Sequence, residues 1–191
     1  TYPESQFVFA ARFEQGEILR KLNDFPPAQR AYEEIINKFP QHPGIEEVSL
    51  ALAHCHAEQA AGDESHADRA KEGYNRLLAL PTASPDLRVE AGFNLGNILL
   101  THPDTRRVED VWWRDVVHQF LLDKPEVAAQ LGPNGRYWMS RTLLELGDLY
   151  KRQGHPDEAK RAWTLILETQ LPAENEARNK LGAKPPEPPA P

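Results

Sequence analysis

The sequence has little of three things that whole classes of protein require: cysteine, long apolar runs and an excess of positive charge. Its single cysteine, Cys55, allows no disulfide bond within the chain. No apolar run approaches the roughly 18 residues of a membrane-spanning helix, so we expect no direct membrane insertion. Lys and Arg total 22 against 29 for Asp and Glu, a formal charge of −7. This acidic balance argues against nucleic acid and anionic membrane surfaces as partners.

Catalytic motifs are also scarce. No Ser-His-Asp order is accompanied by a nucleophile elbow. The glycines Gly92 and Gly96 are four residues apart within a predicted helix and indicate tight packing, not a phosphate-binding loop. Cys55 is expected to be a small buried residue, since nothing near it suggests a lowered thiol pKa. We therefore predict no catalytic residue and no cofactor.

The histidines around Cys55 raise the question of a metal site. His54 and His56 are two residues apart, which on a helix turns them about 200° away from each other, so they cannot share one ion. His54 and Glu58 are four residues apart and share a face, but a closed zinc site needs four ligands. We predict no metal site, and a metal-dependent enzyme that uses His54 and Glu58 is the weakest functional alternative.

What the sequence does have is a recurring interval between glycine, alanine and a large aromatic residue. The interval is clearest in Leu143, Leu146, Gly147, Tyr150, Gly154, Ala159, Trp163, Ile166 and Pro172. Leu143, Leu146 and Tyr150 share one helix face by their i, i+3, i+7 spacing. Gly147 allows a second helix to approach closely, and Gly154 ends the first helix in a left-handed conformation. The pattern predicts a helix–turn–helix.

This spacing resembles the tetratricopeptide repeat. The resemblance implies an all-α fold, a right-handed α–α superhelix of about four helix–turn–helix repeats and a C-terminal capping helix. In a first repeat Gly16, Asn23, Ala28, Tyr32 and Ile35 match Gly147, Gly154, Ala159, Trp163 and Ile166. We predict repeats at about 7–41, 42–82, 84–122 and 136–171, an insertion at 123–135, a capping helix at 173–182 and a disordered proline-rich tail at 184–191.

The two middle repeats are less regular. In the second, Ala70, Tyr74 and Leu77 keep the second-helix pattern, but the first helix, about Ile45 to Ala61, has no fixed register. In the third, the predicted turn is His102-Pro103-Asp104, and Val108, Trp112, Val116 and Phe120 then follow at helical spacing. Trp112 is predicted to face the core. Trp113 points about 100° away and lies either in a neighbouring interface or partly exposed as a binding anchor.

The resemblance implies that the first helix of each repeat lines a concave groove that binds an extended peptide or a partner helix. Counting from the matched glycines assigns the groove to Phe13, Glu17, Arg20, Phe93, Asn94, Asn97, Arg141, Leu144, Asp148 and Lys151. Asn94 and Asn97 match the asparagines of the clamp by which chaperone-binding relatives grip a peptide C-terminus, but Phe93 stands where a cation would be. The mixed set suggests an amphipathic peptide. The alternative is a groove that is merely solvated.

The predicted function is a non-catalytic scaffold for protein–protein interaction that binds a peptide or helix of another protein. The alternative is an accessory domain that positions other parts of a larger enzyme or envelope assembly machine. Residues 31–47 resemble repeats of bacterial envelope proteins of the periplasmic coordinator and barrel-assembly lipoprotein kind, which favours the bacterial periplasm or envelope over the cytoplasm. The opening Thr1-Tyr2-Pro3 suggests a piece of a longer protein. The sequence does not specify the oligomeric state.

Overall fold

The structure, a computed structural model, describes residues 4–101 and 106–182, and these ranges contain helices and no strand. The helices are α1 (Glu4–Lys21), α2 (Phe25–Lys38), α3 (Ile45–Glu58), α4 (Glu64–Ala79), α5 (Pro85–Leu99), α6 (Arg106–Glu109), a π-helix (Asp110–Leu122), α7 (Pro125–Ala128), α8 (Pro133–Arg152), α9 (Pro156–Glu168) and α10 (Glu174–Leu181). They form packed successive pairs, which confirms the all-α helical-repeat prediction. The chain divides into two compact units, residues 1–98 and 99–191.

The α1–α2 pair is built around one close crossing. A Cβ atom added to Gly16 would overlap the ring of Tyr32, so only glycine fits there without displacing the ring. The turn between the helices contains Asn23 at φ 59°, the left-handed conformation predicted from its match to Gly154. Tyr32 is fully buried. The register assigned to the first repeat is therefore confirmed.

The α8–α9 pair repeats this geometry in the second unit. A Cβ atom on Gly147 would overlap the indole of Trp163 and lie 2.7 Å from its Cδ1 atom. Gly154 has φ 82° in the turn, and Ala159 is buried where α9 begins. Each of these three features was predicted from the sequence. Glycine on the first helix and a large aromatic on the second thus set the helix separation in both units.

The α3–α4 pair reaches a similar close approach with the small residues exchanged. The glycine lies on the second helix: a Cβ atom on Gly73 would be 3.0 Å from the Cβ of Ala53. Helix α3 ends at Glu58, three residues before the predicted end at Ala61. Helix α4 begins at Glu64, because the Asp63 side chain accepts a hydrogen bond from the Ser65 amide at 2.9 Å and caps the helix.

The core of the first unit joins α1, α2 and α3. Its buried members are Phe9, Ala28, Tyr32, Ile35, Val48, Ala51 and Cys55. Helix α3 is therefore covered on two sides, since Val48, Ala51 and Cys55 face the first pair while Ala53 meets α4. Ser84 caps helix α5, which begins at Pro85: the Ser84 hydroxyl accepts a hydrogen bond from the Leu87 amide at 3.3 Å.

The second unit begins with α6 and the π-helix. Val108, Trp112, Val116 and Phe120 are all at most 1% exposed, as their four-residue spacing predicts. That spacing did not reveal that residues 110–122 form a π-helix, whose hydrogen bonds join residues five apart. Trp113 is half-buried, with the Arg161 guanidinium 5.3 Å from its ring centroid. The predicted turn at 102–104 lies outside the described residues.

The predicted insertion is shorter than expected because α8 begins at Pro133, within the 123–135 range. Gly132 is extended and precedes the helix, and Pro133 suits a first turn, where no amide donor is needed. At the other end α10 runs from Glu174 to Leu181 and stops at Gly182, at φ 72°. The proline-rich tail predicted at 184–191 lies outside the described residues. Among residues 4–101 and 106–182, no helix has the length and apolar character needed to cross a membrane.

Candidate functional site

A row of polar side chains crosses the first helices of residues 1–98. We call it the polar row and define it as Glu17, Arg20, His54, Glu90, Asn94 and Asn97, which come from α1, α3 and α5. Glu17 directly follows the crossing residue Gly16, and His54 directly follows Ala53. Because each residue turns a helix by about 100°, the side chains of Glu17 and His54 do not point into the contact between the paired helices but lie at the edge of that contact.

The α1 end of the polar row is a fixed charge pair. Arg20 donates to Glu17 through Nη2 at 2.8 Å and Nε at 3.1 Å, and the Tyr32 hydroxyl donates to the same carboxylate at 2.7 Å. The Arg20 hydrogen bond is the main reason why the pKa of Glu17 is lowered. Burial raises the pKa of Tyr32, so its hydroxyl stays protonated. The result is an ionised carboxylate held in one orientation.

The centre of the polar row is His54. Its Nε2 atom lies 3.4 Å from the Asn94 amide nitrogen and 3.9 Å from a carboxylate oxygen of Glu90. Burial, and then the positive charge of Arg20, lower the pKa of His54 to about 4. The imidazole is therefore neutral at pH 7 and acts as an acceptor for the Asn94 amide, which also donates to the Glu90 backbone carbonyl at 2.9 Å.

This histidine predicts an acid-sensitive stability. The folded-state pKa of His54, about 4, lies below the ordinary histidine value of 6.5, so the unfolded chain takes up a proton first as the pH falls. We expect full stability above pH 6.5, a progressive loss of at most about 3 kcal/mol between pH 6.5 and 4, and no further loss from this group below pH 4. Urea unfolding of wild type and His54→Gln across this range measures it. The assignment would be contradicted if His54→Gln lost as much unfolding free energy between pH 6.5 and 4 as wild type does. It would also be contradicted if His155→Gln, a change at an exposed position, removed the pH dependence to the same extent.

In the second unit, the corresponding polar residues of α8 are tied to the C-terminal helix. Lys180 donates to both carboxylate oxygens of Asp148, at 2.7 and 2.9 Å. Arg141 bonds Glu145 at 2.9 Å and lies 3.9 Å from Glu176 of α10. Arg178 and Lys180 in the last turn of α10 also suit the dipole of that helix. Helix α10 thus occupies the part of the α8 face that carries Arg141 and Asp148, whereas Lys151 stays exposed.

Comparison with known proteins identifies the first helix pair. Residues 10–42 match the family model described as tetratricopeptide repeat. The chain contains a tetratricopeptide repeat. A search among curated proteins finds no match, so the likeness to bacterial envelope proteins stays a prediction. Tetratricopeptide repeats generally mediate protein–protein interactions and are typically non-catalytic.

The matched tetratricopeptide repeat carries three of the predicted groove residues: Phe13, Glu17 and Arg20. Glu17 and Arg20 lie in the polar row, but Phe13 is half-buried against the core, with its ring centroid 6.0 Å from that of Tyr32. Phe93 and Leu144 are 7% and 1% exposed, so the expectation that they contact a peptide is corrected. All three lie three residues before one of the glycines matched in the sequence, Gly16, Gly96 and Gly147, which are buried, and residues three apart share a helix face. They point into the structure with the glycine.

Sequence reasoning left out two members of the polar row. His54 was missed as a groove residue because the second repeat had no register until its crossing residue, Ala53, was known. Glu90 had a usable signal: it lies six residues before Gly96, as Arg141 lies six before Gly147. Counting six residues back from the glycine in the third repeat, as in the fourth, selects Glu90.

His54 and His56 face different helices. His54 faces Glu90 and Asn94 of α5, and His56 instead lies against His66 of α4, with their Nδ1 atoms 2.9 Å apart. Across residues 4–101 and 106–182, no group of three or more His, Cys, Asp or Glu side chains is placed to hold a metal ion. Cys55 is buried, and burial raises the pKa of its thiol to about 11.

Proposed function

We propose that this chain is a non-catalytic interaction domain that binds a peptide segment of another protein along the polar row. The observation that best supports this is the row itself. The six side chains are part-buried: Glu17 pairs with Arg20, His54 lies against Glu90 and Asn94, and Asn97 is one turn further along α5, whereas an ordinary solvated face would carry exposed charges. Part-buried polar groups that are already oriented cost little further entropy on binding.

The amides of α5 are suited to a peptide backbone. Asn94 and Asn97 are one turn apart and on the same side of the helix. In the part of the chain that the structure describes, the Asn97 side chain has no hydrogen-bond partner, and its amide supplies both a donor and an acceptor. A peptide in extended conformation presents the same two groups at each residue. Asn97 is therefore the residue we place in direct contact with the peptide backbone.

The charges of the polar row define which peptide fits. Glu17 and Glu90 are acidic, Arg20 is the single cation of the row and is already bonded to Glu17, and His54 is neutral at pH 7. A free peptide carboxylate is repelled by this balance, and the buried Phe93 supplies no cation. We infer an internal segment, uncharged or basic, as the ligand. Because Phe93 is buried and Phe13 is half-buried against the core, an apolar helix finds few anchors here and fits less well than an extended chain.

Paired asparagine variants test the proposal. The partners captured by wild type from the source organism are first identified, and the binding segment is located with overlapping synthetic peptides. We expect Asn97→Ala to weaken peptide binding by about tenfold or more, since a lost hydrogen-bond pair is worth about 1–2 kcal/mol. Asn75→Ala, an exposed position on α4, is the matched control and should bind as wild type does.

Two results would contradict the proposal. One is a partner whose binding is unchanged in the double variant Asn94→Ala, Asn97→Ala, with folding verified by circular dichroism. The other is a requirement for a free C-terminal carboxylate, shown by loss of binding when the peptide is amidated, because the polar row offers that group no cation.

A further inference from the structure

Helix α1 is covered on one face only. Phe9 and Gly16 face the core. Because each residue turns the helix by about 100°, Phe7 lies on the opposite side of the helix, about 180° around its axis from Gly16. Four apolar residues share that outer face and form what we call the α1 stripe: Phe7, Ala11 and Ile18 of α1, and Leu22, which directly follows the helix and whose amide still donates to the Ile18 carbonyl at 3.0 Å. Phe7, Ile18 and Leu22 are 75%, 49% and 71% exposed. Three large apolar side chains on one face indicate an interaction surface.

Helix α3 shows what such a face meets elsewhere in this chain. Its Val48, Ala51 and Cys55 are buried against the preceding helix pair, while Ala53 packs on α4. Helix α1 likewise packs on the other helix of its own pair, α2. Within residues 4–101 and 106–182, however, no helix covers the α1 stripe as the first pair covers α3. The face has the apolar composition of a helix–helix contact that lacks its other half.

The spacing of the α1 stripe identifies that other half. The intervals between its four residues are 4, 7 and 4, the same in either direction along the helix. An antiparallel copy of α1 therefore places Phe7 opposite Leu22 and Ala11 opposite Ile18, so that the small side chain always meets a large one. A parallel copy would set Ala11 against Ala11 and leave a gap. We propose that a second copy of this chain covers the α1 stripe as an antiparallel helix pair on a two-fold axis.

The polar residues at the middle of the stripe fit a symmetric contact. The axis passes between residues 14 and 15, about midway along a stripe of roughly 22 Å. Gln15 meets Gln15 of the other copy, and two amides satisfy each other's donors and acceptors. Glu14 meets Glu14, and this like-charge contact at the rim weakens the dimer without preventing it. Beside the stripe, Arg12 and Glu34 form an exposed ion pair at 3.6 Å that belongs to the polar rim.

The first test measures mass in solution. By sedimentation over a range of protein concentrations, wild type should approach twice 21.6 kDa, and Ile18→Glu should remain at 21.6 kDa with a dimer dissociation constant raised at least about tenfold. Tyr137→Glu is the matched control, because Tyr137 is 48% exposed, like Ile18, but lies outside the stripe. Glu14→Gln should tighten the dimer severalfold. A wild-type monomer at every concentration, or equal effects of Ile18→Glu and Tyr137→Glu, would overturn the proposal.

The second test fixes the register by disulfide trapping. A mixture of Ala11→Cys and Ile18→Cys chains should cross-link under mild oxidation, because the antiparallel contact sets these residues side by side. Ala11→Cys alone should not, since its two copies would lie about 10 Å apart along the axis, beyond the limit of about 7 Å between Cα atoms. The buried Cys55 gives wild type as the background control. Efficient cross-linking of Ala11→Cys alone would overturn the antiparallel arrangement.

Discussion

Replacing Trp163 by alanine should lower the free energy of unfolding by about 3–5 kcal/mol, the usual cost of deleting a buried large aromatic side chain. Trp163 is 4% exposed, and its indole occupies the space that the missing side chain of Gly147 leaves open. The Lys180 ammonium lies 5.8 Å from the ring centroid, so the same side chain also supports the capping helix. The cavity left by the indole would face a helix position that has no side chain to fill it.

Urea unfolding followed by circular dichroism measures this change. Trp113→Ala is the matched control: the same side chain is removed from the second unit, but Trp113 is half-buried, so the loss should be clearly smaller. Equal losses for the two variants, or an unmoved midpoint in Trp163→Ala, would mean that the Gly147–Trp163 crossing does not set the stability of α8 and α9.

In the first unit, Tyr32→Ala should cost a similar amount, about 3–5 kcal/mol. Tyr32 is fully buried, it packs directly on Gly16, and its hydroxyl donates to Glu17 at 2.7 Å. Tyr32→Phe separates the two contributions, since it keeps the ring and removes only the hydrogen bond. That variant should lose about 1–2 kcal/mol, because the acceptor is an ionised carboxylate that still has Arg20 as a partner.

The same unfolding experiment, run on both variants, gives the outcome. A Tyr32→Phe loss as large as that of Tyr32→Ala would show that the hydroxyl, not the ring, holds the α1–α2 pair together. Titration of Tyr32→Phe adds an independent readout: the pKa of Glu17 should rise, because one of the hydrogen bonds that lower it has been removed.

The sequence predicts the fold well wherever a helix crossing has a chemical signature. Gly16 with Tyr32 and Gly147 with Trp163 could be found because the same interval separates the glycine from the aromatic residue in both repeats. Asn23 and Gly154 were identified from the conformation that the turn requires, since few residues accept a positive φ. Helix pairs, turns and the second-helix core positions followed from these anchors.

The π-helix and the helix ends could not be predicted in this way. Apolar residues at every fourth position are compatible with both an α-helix and a π-helix, and backbone hydrogen bonding decides between them. The end of α3 depended on the Asp63 cap, which competes with the alanine-rich sequence up to Ala61. Such local competition is decided by tertiary packing, which a single sequence does not display.

The candidate site could be predicted only in part. The helix bearing each groove residue was known, but the direction of its side chain depends on a register accurate to one residue, since each residue turns the helix by about 100°. Counting three back from the glycine selected Phe93 and Leu144, which are buried, and counting one forward selected Glu17 and Asn97, which are in the polar row. His54 required the α3–α4 crossing itself.

The exchange of glycine between the two helices at Ala53 and Gly73 has an evolutionary consequence. We expect selection to act there on the combined volume of the two facing side chains, so that neither position need be invariant by itself. Related sequences should therefore show the two positions changing together, with a larger residue on one helix offset by a smaller one on the other. Search profiles that score each position independently will undervalue such repeats, and ancestral lineages could pass from one arrangement to the other through an Ala–Ala intermediate.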